Sequence, residues 1–249
     1  MMSKRFVFFG ALALLLTACS DQSYRQPPFG GMKGRVREVR MYHILPDEWR
    51  LNSIPDTIMY INASAYDVYG NEILSVLMDS AGRIQSQSES MFENGVCVQS
   101  AQKNGANRTV AEMRLVSHGN GLSVYDQKRS GRTGRMEVRE TKRFGRYRSE
   151  VTLDGRISMV STIKTDDRGL PVEIVTVDAS GRETVQKNTY SADGNIIEKH
   201  ILKENGTRDD VTTTEYLRFD SLGNWIEARV FNRIGMTNEY LIRDIEYWE

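Results

Sequence analysis

The sequence predicts an all-β fold: an antiparallel meander of repeated hairpins forming a long curled sheet or an open barrel-like sheet. The first observation is a turn, written most clearly as Phe219-Asp220-Ser221-Leu222-Gly223-Asn224-Trp225, whose variants recur along the chain. The second is its beat. Gly169, Gly181, Gly194 and Gly206 stand 12, 13 and 12 residues apart, the length of about eight strand residues plus a tight turn. The third is alternation between the turns, as in Ile226, Ala228 and Val230 against Glu227 and Arg229. One apolar and one mixed face suit an antiparallel sheet, and single hairpins must stack or curl round a shared core to be stable in water.

The turn has a physical logic. Asp220 accepts from a backbone N–H two residues on, and Ser221 and Leu222 take the helical region. Gly223 takes the positive φ that closes a three-residue hairpin loop with a bulge. Trp225 then restarts a strand.

In order, Val36 to Ile44 reads as a first strand, with Val36, Glu38 and Arg40 on one side and Arg37, Val39 and Met41 on the other. Pro46 and Pro55 bracket an irregular connection. The repeat takes hold at Tyr66-Asp67-Val68-Tyr69-Gly70-Asn71, and turns follow at Asp79 to Arg83, Asn94-Gly95, Asn104-Gly105 and His118 to Gly121. From Lys128 to Arg148 the pattern loosens, with turn-like glycines at 131, 134 and 145. It tightens again at Asp154-Gly155, Asp166 to Gly169, Asp178 to Arg182, Ala192 to Asn195, Asn205-Gly206, Gly223 and Gly235. Pro171 to Val177 and Tyr240 to Trp248 alternate as strands, and no helix is expected in the body.

Residues 1–18 read as a secretory signal: Lys4 and Arg5, an apolar run from Phe6 to Leu16, then small residues. Leu16-Thr17-Ala18-Cys19 resembles a bacterial lipobox. That resemblance implies acylation of Cys19 and a lipoprotein of the Gram-negative envelope, with the outer membrane favoured because Ser20 is not the Asp of inner-membrane retention. Residues 19–34, with Pro27-Pro28 and Gly30-Gly31, read as the lipidated N-terminus and a flexible tether, and 35–249 as one β-repeat domain. If Cys19 is lipidated, Cys97 has no partner in the chain and reads as a buried strand thiol. With 33 basic and 33 acidic residues, nothing in the overall charge points to nucleic acid.

The turns are similar to the tyrosine-aspartate repeat of the RHS type, in which Tyr-Asp-x-x-Gly-Arg/Asn precedes an apolar residue. The matching residues are Tyr66-Asp67-x-x-Gly70-Asn71, Asp79-x-x-Gly82-Arg83-Ile84, Asp178-x-x-Gly181-Arg182 and Phe219-Asp220-x-x-Gly223-Asn224-Trp225. The chain also resembles envelope lipoproteins carrying Asp-x-x-Gly-Asn-Trp hairpins. Neither resemblance supplies catalytic residues.

Chemistry-bearing sets are sparse. His43, His118 and His200 have no local metal spacing, and there is no serine elbow, HExxH or phosphate loop, so neither cofactor nor metal is expected. The anomaly is Lys128 to Arg148, with nine basic residues against Glu137 and Glu140. Arg135, Arg139, Lys142, Arg143, Arg146 and Arg148 are the candidate contacts for a polyanion such as lipopolysaccharide phosphates or an acidic glycan. The plainer account is a pair of solvated edge strands whose cations block edge pairing.

The expected function is a non-enzymatic, lipid-anchored binding or assembly module of the envelope, partnered by the membrane through its anchor and by another envelope protein or an anionic glycan. The alternative is a carrier that holds a lipid or lipoprotein chain on a curved apolar face. An envelope hydrolase comes third.

Overall fold

The computed structural model describes residues 31–45, 58–143, 146–203 and 209–249. The lipobox, most of the tether, the Pro46 to Pro55 connection, Phe144-Gly145 and Gly206 lie outside the described residues. Sixteen strands are described. They are β1 (Val36–Ile44), β2 (Ile58–Tyr66), β3 (Glu72–Asp79), β4 (Ile84–Glu93), β5 (Val96–Asn104), β6 (Thr109–Gly119), β7 (Leu122–Arg129) and β8 (Arg132–Arg143). They continue as β9 (Arg146–Leu153), β10 (Arg156–Thr165), β11 (Pro171–Asp178), β12 (Glu183–Tyr190), β13 (Ile196–Lys203), β14 (Asp209–Phe219), β15 (Trp225–Asn232) and β16 (Thr237–Tyr247). Each pairs antiparallel with the next, and β1 pairs with β16, so the meander closes into a barrel.

The turns that set this spacing follow one design. Asp67, Asp79, Asp166, Asp178 and Asp220 each accept the backbone N–H two residues on at 2.9–3.0 Å. Each also accepts the N–H four residues on, which closes the loop from both sides. Gly223 holds φ at 80°, as the expected loop requires. Two glycines depart from the expected role. Gly134 lies inside β8, and at the β5–β6 turn Asn107, not Gly105, takes the positive φ.

The register divides every strand into two faces. One face carries Val39, Met41 and His43 opposite Ile245, Arg243 and Leu241, and runs on through Ser100, Met113, Tyr125, Met136 and Val151. This face is desolvated: Tyr125 is fully buried, and Ser100, Met113, Met136 and Val151 are nearly so. The opposite face carries exposed ion pairs such as Arg37–Glu246 and Arg40–Glu38. The first face is the barrel interior. A β-bulge between Val36 and Glu38 turns both Val36 and Val39 inward, which corrects the simple alternation expected for β1.

The interior is itself two-sided. On β5–β9, Cys97, Met113, Tyr125, Met136, Val138 and Val151 form an apolar wall. A polar cluster sits inside around His43, where β1, β2 and β16 meet. His43 Nδ1 lies 2.9 Å from Glu239 Oε2, its Nε2 lies 3.0 Å from Asn62, and its ring stacks on Tyr60. Cys97 is buried in the apolar wall, as expected of a small apolar strand residue.

The last residues of the expected tether are held against the barrel. Met32 packs against the cluster of Val36, Val39 and Tyr66. Asn224, in the β14–β15 turn, accepts from the Lys33 N–H at 2.6 Å and donates to the Lys33 carbonyl at 2.8 Å.

Candidate functional site

The basic segment runs from the end of β7 through β8 into β9, and closure changes its meaning. β8 pairs with β7 and with β9, and β9 with β10, so neither is an edge strand and their cations do not block edge pairing. The reason for nine cations lies elsewhere.

The structure splits the six candidate residues. Arg135 lies opposite Asp126 and 3.6 Å from Glu137, in an outer groove of about 640 Å³ that Glu112, Arg114 and Lys128 also line. Its charge is locally matched. Arg139 faces Glu150 across the β8–β9 ladder, and Arg148 reaches Glu150 at 3.3 Å. Lys142 stands on the inward register at the strand end, its Nζ 5.0 Å from the centroid of the Tyr147 ring.

Arg143 and Arg146 stand at the facing ends of β8 and β9. They oppose each other on the outer face, and Arg146 in turn opposes Lys164 of β10. Three exposed cations thus stand side by side across three strands. Directly opposed residues hold their Cβ atoms about 4.5–5.5 Å apart, and like charges so placed are destabilising. Glu173 of β11, opposite Lys164, adds a carboxylate to the end of the row. Lys164 was missed in the sequence because it lies outside the basic run. Only the register brings it to Arg146.

Charge also crosses the middle of the outer wall. Glu112, Asp126, Glu137 and Glu150 sit centrally on β6 to β9. A bilayer-spanning barrel needs an unbroken apolar outer band about 25 Å tall. This sector is therefore a water-facing wall. Among the described residues, no helix is long and apolar enough to cross a membrane.

The three histidines lie on β1, β6 and β13, and the register brings none of them together. His43 is committed to Glu239 and Asn62, and His118 Nδ1 lies 3.1 Å from Ser123 Oγ.

No protein-family model matches the chain, and no curated protein matches it. Among solved structures, a porin-like protein from Bacteroides vulgatus is similar at 12% identity and a TM-score of 0.47. That match covers 86% of this chain and 99% of the other. A porin-like protein from Bacteroides uniformis is similar at 12% identity and a TM-score of 0.34, covering 88% and 98%. Likeness at that level carries no functional argument, and the barrel assignment rests on the strand pairing itself.

Proposed function

We propose that this chain is a non-enzymatic binding module of a Gram-negative envelope, lipid-anchored at Cys19, whose outer face on β8–β10 binds clustered phosphates of an anionic glycolipid. The observation that carries this reading is the row Arg143–Arg146–Lys164, three exposed cations set side by side on adjacent strands, whose summed field attracts clustered anions. A second observation supports it. β1 leaves, and β8 reaches, the same rim of the barrel, so the N-terminal segment and the cationic row share one end. An acyl anchor and a basic cluster facing the same headgroups are the two signals that hold a protein stably on a membrane.

The test is cosedimentation of the purified, unacylated Cys19→Ala chain with phosphatidylcholine vesicles, with and without lipid A. Binding to the lipid A vesicles alone is expected, with loss in the R143Q/R146Q/K164Q variant. Equal binding to both vesicles removes the proposal. The anchor has its own test. Mass spectrometry of membrane-extracted protein is expected to find the Cys19 peptide acylated; an unmodified peptide refutes the anchor.

A further inference from the structure

Arg243 stands on the inward face of β16, directly opposite Met41 of β1. Its guanidinium carbon lies 3.5 Å from the centroid of the Trp225 ring. Trp225 is buried and leans on Tyr216, with ring centroids 5.4 Å apart. The Nε of Arg243 is buried and has no hydrogen-bond partner. Burial draws the guanidinium down to about 10, and the groups that act against this are the phenols of Tyr216 and Tyr66, not a carboxylate.

The interior carboxylates nearby have other partners. Glu239 engages His43, and Glu72 accepts from Ser64. The Tyr216 hydroxyl donates to the Ile196 carbonyl at 2.7 Å. A guanidinium at this depth remains charged at neutral pH, and buried charges are ordinarily paired. Around it the interior is apolar: Val39 and Met41 on β1, and Leu241 and Ile245 on β16.

We infer that Arg243 is the anion-binding centre of a lumenal site that takes an amphipathic ligand, with a carboxylate or phosphate headgroup on Arg243 and an apolar body along β1 and β16. The guanidinium offers two parallel N–H donors to either headgroup, and stacking on Trp225 fixes its plane. This site is independent of the outer cationic row.

The purified chain is titrated with dodecanoate, dodecyl phosphate and dodecanol, each below its aggregation concentration. Binding is followed by calorimetry and by fluorescence, with Trp225 as the local reporter. Saturable binding of one or both anions is expected, at least tenfold tighter than dodecanol. Which anion binds better identifies the headgroup. Arg243→Met is expected to weaken anion binding at least tenfold without lowering the melting temperature, because it removes a buried charge lacking an acidic partner. Arg243→Lys is expected to retain part of it. The R143Q/R146Q/K164Q variant is expected to bind these ligands unchanged, so failure of the outer site leaves this result standing. The inference is overturned if dodecanol binds as tightly as the anions, if no ligand binds, or if folded Arg243→Met binds the anions as well as the parent does.

Discussion

Asn224→Ala is expected to cost far more than the same change at its counterpart Asn71. Both residues close an Asp-x-x-Gly-Asn turn. Asn71 spends its side-chain amide inside its own turn, donating to Asp67 at 2.8 Å. Asn224 is 6% exposed and reaches out of its turn. It makes two hydrogen bonds with the Lys33 backbone, at 2.6 and 2.8 Å, and donates to the Tyr247 hydroxyl at 2.8 Å. A net intramolecular hydrogen bond contributes about 0.5–1.5 kcal/mol, so loss of all of these costs about 3 kcal/mol, against about 1 kcal/mol at Asn71. In a domain of this size that corresponds to a fall in Tm of roughly 6–12 °C for Asn224→Ala. Urea unfolding followed by far-UV circular dichroism gives both variants side by side, and limited proteolysis is expected to cut near residue 33 only in Asn224→Ala. Equal costs at the two asparagines, or a cost under about 1 kcal/mol at Asn224, would show that the N-terminal segment is not held by this turn.

Other consequences are as direct. Gly223→Ala forces a side chain to a φ of 80° and is expected to destabilise by about 1–2 kcal/mol in the same unfolding assay, with binding by the folded protein unchanged. At low pH the turn aspartates set the limit. The Ser180 hydroxyl, outweighing burial, holds Asp178 down at about 2, and backbone N–H groups led by that of Arg83 hold Asp79 below its usual value. At Asp220 burial pushes upward, but the Tyr247 hydroxyl and the N–H groups of Asn224 and Leu222 outweigh it. Folded values below unfolded ones mean stability that is full above pH ~4 and lost as pH falls toward 2, so Tm is expected to drop in that window and less steeply in Asp178→Asn. At high pH the sign reverses for tyrosine. Burial lifts Tyr60, Tyr66 and Tyr216 to about 12, and burial with the Asp220 hydrogen bond does the same for Tyr247. Ultraviolet titration is expected to show late-ionising phenols, with stability falling between pH ~10 and 12; ionisation of every tyrosine near 10 contradicts the buried placement.

Much of the architecture was legible because turn chemistry is local. Asp220, Gly223 and their counterparts specify hairpins from a few residues each, and the 12–13-residue beat follows. Closure was not legible. The β1–β16 pairing joins residues about 200 positions apart, and it depends on summed twist and shear, which no single hairpin encodes. The same limit hid the functional residues. Lys164 gains meaning only opposite Arg146, and Arg243 only once Trp225 is folded against it. In sequence each is one more cation on an alternating strand. The turn at Phe219 to Trp225 does more than set the strand spacing, since Asn224 does turn work like its counterparts and in addition clasps Lys33.

The central claim is that the cationic row across β8, β9 and β10 is a polyanion site, and the salt dependence of lipid A binding tests it most directly. Neutralising clustered phosphates with several cations makes binding weaken steeply between about 50 and 300 mM salt, as the Debye length shrinks below the ~10 Å found at 0.1 M. The account expects a steep fall in log affinity with log salt for the unacylated Cys19→Ala chain and a markedly shallower one for the same chain carrying R143Q/R146Q/K164Q. A salt-independent affinity, or identical slopes for the two proteins, would contradict it.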